Sequence, residues 1–125
     1  TLERDPVYKA KIPCLRLNDL IMKQAEIFEA PRLSQPREKT GSTDFGNVMY
    51  EVSGSCIRVA FVPAGTPAHS EGYVKAGKSE DAHKAVMYGA EILAGTCLDI
   101  LADPALLAEI KEDFAQRKQI MGKDI

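Results

Sequence analysis

The sequence predicts an α/β fold, on three observations. Leu17, Leu20, Ile21, Ala25 and Phe28 recur at helical spacing, with Arg16, Asp19, Lys23, Glu26 and Glu29 on the other faces, so an amphipathic helix is expected over Leu15–Phe28. Two short apolar runs, Asn47–Val52 and Ile57–Val62, flank the turn residues Ser53, Gly54 and Ser55, which reads as a strand pair. Two further helices, one from Ser79 and one over Ala105–Lys118, close the pattern.

The segments follow in order. Thr1–Pro13 is polar, bracketed by Pro6 and Pro13, and reads as extended. Pro31 lies just past the first helix and stops it, and the stretch PRLSQPREKT that follows has two prolines, both charge signs and no periodicity, which marks a surface loop. Gly41-Ser42-Thr43-Asp44 is a small-residue turn whose hydroxyls or amides suit an anionic group, although the same residues are ordinary turn chemistry. It is not a nucleotide P-loop, because no Gly-Lys-Ser/Thr follows. In the second strand candidate Ile57, Val59 and Phe61 alternate with Arg58, Ala60 and Val62.

Pro63 ends that run, and the loop Ala64–Lys78 delivers His69, with Pro67 before it and Gly72 after it. A loop histidine with small neighbours is open to a metal or a substrate, and equally to a plain surface role. Ser79 caps the next helix, with Glu80 and Asp81 in the first turn, where the helix dipole favours anions. Val86, Ala90, Leu93, Cys97 and Leu101 make its apolar face, with Gly89, Ala94 and Gly95 close by, and close approach to a sheet accounts for the glycines. His83 sits at the edge of that stripe and reads as structural. Asp103-Pro104 ends this helix and caps the next, and the tail after Gln119 is expected to fray.

At 125 residues, 45% hydrophobic and 27% charged, the chain is long enough to bury about two thirds of its unfolded surface around one core. A net charge of -2 with interspersed signs gives no field for a nucleic-acid backbone. No membrane span is expected, since Glu91 and Asp99 interrupt the most apolar helix, and TLERDPVYKAK lacks the apolar centre of a signal peptide, which leaves a cytoplasmic location as the expectation. Cys14, Cys56 and Cys97 are too few and too widely spaced for a disulfide framework or a zinc ribbon, and read as buried, reduced thiols.

GSTDFGNV at residues 41–48, then HSEGY at residues 69–73, then a long helix rich in small residues together resemble the C-terminal part of the dinuclear zinc amidohydrolases. These are the relatives of aminoacylase and of the glutamate-releasing carboxypeptidases, above all the aminobenzoyl-glutamate utilisation proteins and their dipeptidase cousins. The resemblance runs from about Asn18 to Phe114. It implies a zinc-exopeptidase-like catalytic domain whose sequence is split around an inserted lid, with this chain matching only the part after the lid. The arrangement would be a return segment from the missing lid over 1–13, the C-terminal part of the catalytic domain over 14–118 and a frayed tail over 119–125.

The resemblance further implies that His69 ligates one of two divalent ions, zinc first with manganese or cobalt as substitutes. Gly41, Ser42 and Thr43 would bind the substrate, supported by Asp44. It places the general-base glutamate and most ligands in the missing N-terminal part of the same domain, so no catalytic residue is expected in this chain. The implied partners are that missing part, a small-molecule amide substrate and, for the intact enzyme, further copies in a homo-oligomer. Ser53 stands where these relatives often carry a proline, a departure that touches the turn and not the proposed site. The competing reading is a non-catalytic fragment, a binding or scaffold module with no hydrolase activity of its own.

Overall fold

A computed structural model describes residues 7–31, 33–34, 41 and 43–121. The described residues form five helices in the order α1 (Leu15–Ile27), α2 (Phe45–Glu51), α3 (Glu71–Ala76), α4 (Glu80–Ala102) and α5 (Pro104–Met121), with no strand among them. They divide into two compact units. One takes in the described residues of Thr1–Asp19, Pro36–Cys56 and Asp103–Ile125, the other those of Leu20–Gln35 and Ile57–Ala102.

The absence of strands overturns the expected α/β class and its strand pair. Asn47–Val52 falls largely in α2, and its apolar spacing is compatible with a helix. Phe45, Val48, Met49 and Val52 fall at i, i+3, i+4 and i+7, the period of a helix, whereas a strand would alternate. Residues 57–61 have no regular secondary structure. A strand exists only through a neighbour's ladder of hydrogen bonds, and with α2 helical that neighbour is gone.

In the first unit Ile12, Cys14, Met49, Leu106 and Ile110 are buried. The Cys14 thiol donates to the Ile110 carbonyl at 3.5 Å, and burial pushes the thiol's pKa up, against the opposing hydrogen bond from the Leu17 amide. The Arg16 amide donates to Asp113 Oδ2 at 3.1 Å while its guanidinium reaches Glu109 at 2.7 Å, so the start of α1 is tied to α5. Asn47 of α2 clamps the extended segment ahead of α1: its Oδ1 accepts from the Lys9 amide at 2.6 Å and its Nδ2 donates to the Val7 carbonyl at 3.4 Å. Lys9 and Lys118 both pair with Glu51 and stand over the Tyr50 ring, at 4.6 and 5.0 Å from its centroid.

The second unit is built on α4 against the rest of α1. Leu20, Ile21, Gln24 and Ala25 on α1 and Ala82, Ala85, Ile92 and Thr96 on α4 are buried. Gln24 Nε2 donates to Asp99 Oδ2 at 2.7 Å, and Thr96 Oγ1 back-bonds to the Ile92 carbonyl at 2.7 Å. Gly95 meets Gln24 and Phe28, so its close approach is to a helix and not to a sheet.

The caps expected at Ser79 and Asp103 form. Ser79 Oγ accepts from the Ala82 amide at 3.1 Å, and Asp103 Oδ1 accepts from the amides of Ala105 and Leu106 at 2.9 and 3.3 Å. The apolar face of α4 is a different matter. Val86, Ala90, Leu93, Cys97 and Leu101 are all exposed, and the buried residues form an adjoining stripe, turned about 100° around the helix axis. Cys56 and Cys97 are likewise exposed, and only Cys14 is buried as expected. By length and composition α4 also suffices to cross a membrane, despite Glu91 and Asp99.

Candidate metal-binding and substrate-binding residues

His69 lies on the loop that the sequence indicates, between Val62 and the start of α3. The loop is built from its own turns. Both the amide and the hydroxyl of Thr66 donate to the Pro63 carbonyl, at 3.2 and 2.8 Å, and Gly65 adopts φ 86°. Phe61 and Tyr73 close its base with an edge-to-face contact at 5.3 Å and 86°. Gly72 packs closely here: a β-carbon would lie 3.0 Å from the Thr66 methyl and 3.4 Å from Ser70 Oγ, so either side chain would have to shift slightly.

The loop holds His69 at φ 57°, in the left-handed region that only glycine enters without cost. Its side chain is exposed and makes no hydrogen bond to a described residue. Glu29 is the other described non-glycine residue at positive φ, at 54°. The next residue, Ser70, has a buried hydroxyl without a partner, although it stands at the N-cap of α3, where such a hydroxyl ordinarily bonds a free amide.

The substrate-binding candidates sit on the approach to α2. Gly41 is exposed, and its carbonyl accepts from Lys11 Nζ at 2.9 Å. Ser42 lies outside the described residues. Thr43 Oγ1 donates to Asp44 Oδ1 at 3.2 Å and accepts from the Phe45 amide at 3.4 Å, so hydroxyl and supporting carboxylate engage each other in a local turn. Gly41, Thr43 and Asp44 belong to the first unit and His69 to the second. Two motif residues given no role from sequence, Gly46 and Asn47, seat the extended segment over residues 7–13. The signal for Asn47 is a short amide at the start of an apolar run, which suits side-chain bonds to backbone.

An exposed imidazole with both nitrogens unengaged fits one position in a metal's coordination sphere. Among the described residues no group of three or more His, Cys, Asp or Glu side chains converges to complete such a sphere. His83 is exposed on α4, in a shallow groove with Glu80, Lys84, Met87, Tyr88 and Glu91.

Comparison with known proteins supports the resemblance drawn from the motifs. The chain is 40% identical over 81 residues to the human Xaa-Arg dipeptidase and 40% identical over 82 residues to the mouse protein of the same name, 64% of this chain in each case. It is 30% identical over 88 residues, 70% of the chain, to one of the subunits of the p-aminobenzoyl-glutamate hydrolase of Escherichia coli. The match spans 18% of the length of each of these relatives. No family model and no solved structure matches the chain. Over about two thirds of its length the chain is therefore homologous to dipeptidases and aminobenzoyl-glutamate hydrolases, the family its two motifs resemble.

Proposed function

We propose that this chain is the C-terminal segment of a metal-dependent amidohydrolase that cleaves the amide bond of an N-acyl amino acid or a dipeptide-like substrate. The names of its relatives support hydrolysis of such bonds. The observation that carries the site is His69, an exposed imidazole held at positive φ by a loop of well-defined turns, with no hydrogen bond to a described residue. His69 would supply one ligand to a divalent ion, zinc in the first instance. When bound, such an ion polarises a carbonyl and lowers the pKa of water.

This chain's own part in the chemistry is to orient. His69 holds one ligand position. Gly41, Ser42 and Thr43 would meet the substrate carboxylate with backbone amides, while Asp44 fixes the turn by accepting the Thr43 hydroxyl proton. The remaining ligands and the general-base glutamate come from a part of the protein outside these residues. The isolated chain is therefore expected to hydrolyse nothing, because one ligand and no base cannot activate water. The test assays N-acyl amino acids and dipeptides with added zinc or manganese. The natural polypeptide that carries these residues should turn over and lose activity to a chelator, while the 125-residue chain stays silent. Metal-dependent turnover by the isolated chain would show the site to be wrongly placed, and chelator-resistant turnover by the natural polypeptide would end the metal-dependent reading.

A further inference from the structure

Helix α4 is apolar on two adjoining sides. One side is buried against α1, and the other carries Val86, Ala90, Leu93, Ala94, Cys97 and Leu101, all exposed. At 1.5 Å per residue this second stripe runs for about 22 Å. It contains no charge, since Lys84 and Glu91 project to its flank; Glu91 is turned about 100° around the axis from Ala90. Ala90 and Ala94 lie at its centre, where short side chains let a neighbouring backbone approach closely. A helix apolar all round is ordinarily a buried one.

The matched region covers only 18% of each relative, so more than four fifths of such a protein lies outside it. We propose that the stripe of α4 from Val86 to Leu101 is the docking surface for the remainder of the same polypeptide, which meets it with an uncharged apolar face. The proposal rests on the reading that the chain is one segment of a larger hydrolase. It identifies the surface through which that segment is joined to the part supplying the other ligands. A second copy of this chain, or a lipid surface, is the competing occupant. Lipid is the poorer fit because another side of α4 is committed to α1, through Gln24 with Asp99 and through the close approach of Gly95 to Gln24.

Cys97 lies within the stripe and reports on it directly. Its alkylation by iodoacetamide is followed by peptide mass spectrometry in the natural polypeptide, native and in denaturant, and in the 125-residue chain alone. Docking requires Cys97 to react more than about tenfold slower in the native long polypeptide than in denaturant, and freely in the isolated chain. Leu93→Asp or Leu101→Asp should restore its reactivity in the long form.

Equal reactivity in the native and denatured long polypeptide would overturn the proposal. So would protection of Cys97 in an isolated chain that sediments as a dimer, or protection conferred on that chain by phosphatidylcholine and phosphatidylglycerol vesicles. A natural polypeptide no longer than this chain would also overturn it. Turnover is read separately. Protection without amide hydrolysis would refute the proposed activity and leave the docking surface standing, and hydrolysis with a freely reacting Cys97 would do the reverse.

Discussion

A β-carbon built on Gly46 would lie 2.6 Å from the Lys9 carbonyl oxygen, a backbone atom that cannot swing aside. The glycine of GSTDFGNV is thus required by the extended segment crossing α2, and Gly46→Ala is expected to destabilise by about 1–3 kcal/mol in urea unfolding. Gly95→Ala provides the contrast. Its β-carbon would meet the Gln24 side-chain oxygen at 2.2 Å, but a side chain can re-aim at the cost of its bond to Asp99, and alanine returns up to about 1 kcal/mol of helix propensity. The smaller loss belongs to Gly95, and equal losses would mean that the backbone contact at Gly46 yields.

Asp113 gives the pH dependence. Burial raises its carboxyl pKa, but the Arg16 amide, the Arg117 guanidinium and the Cys14 thiol outweigh this and hold it below the ordinary carboxylate range. A depressed folded-state pKa contributes stability above the unfolded value of about 3.9, and that stability is lost as pH falls through the folded value. Unfolding followed by circular dichroism should show stability falling below about pH 4, less steeply in Asp113→Asn, which should also lose about 1 kcal/mol at pH 7. An unchanged acid limb in the variant would count against this role.

Helices are legible in the sequence wherever period and punctuation agree. Leu17, Leu20, Ile21, Ala25 and Phe28 mark α1 to within a residue of its end, and Ser79 and Asp103-Pro104 mark the starts of α4 and α5. The short elements are not legible in this way. The β-branched and aromatic residues of α2 suggest a strand and outweigh its helical spacing, while the six residues of α3 around Gly72 carry too little pattern to stand out from loop. The apolar stripe of α4 is plain in the sequence, but not which side of the helix is buried, since both sides are apolar. Among the caps, Asp103→Ala removes the acceptor for two amides of α5 and should cost about 1 kcal/mol. A variant as stable as the parent would show that water replaces the carboxylate there.

For the whole molecule, the loop position of His69 is readable from Pro67 and Gly72, while its positive φ is not, because it arises from the turns around Pro63, Gly65 and Thr66. Neither unit completes a metal site from its described residues, so the decisive question is what His69 does in the natural polypeptide. The most direct measurement is bound metal by elemental analysis, taken beside turnover, for the parent, His69→Ala and His83→Ala. Loss of a direct ligand exceeds the 10- to 100-fold effect typical of groups that only orient ligands, so His69→Ala should lose its metal and more than about a hundredfold in activity, while His83→Ala keeps both. Full metal and activity in His69→Ala, or loss of both in a folded His83→Ala, would contradict the assignment of His69 as the ligand.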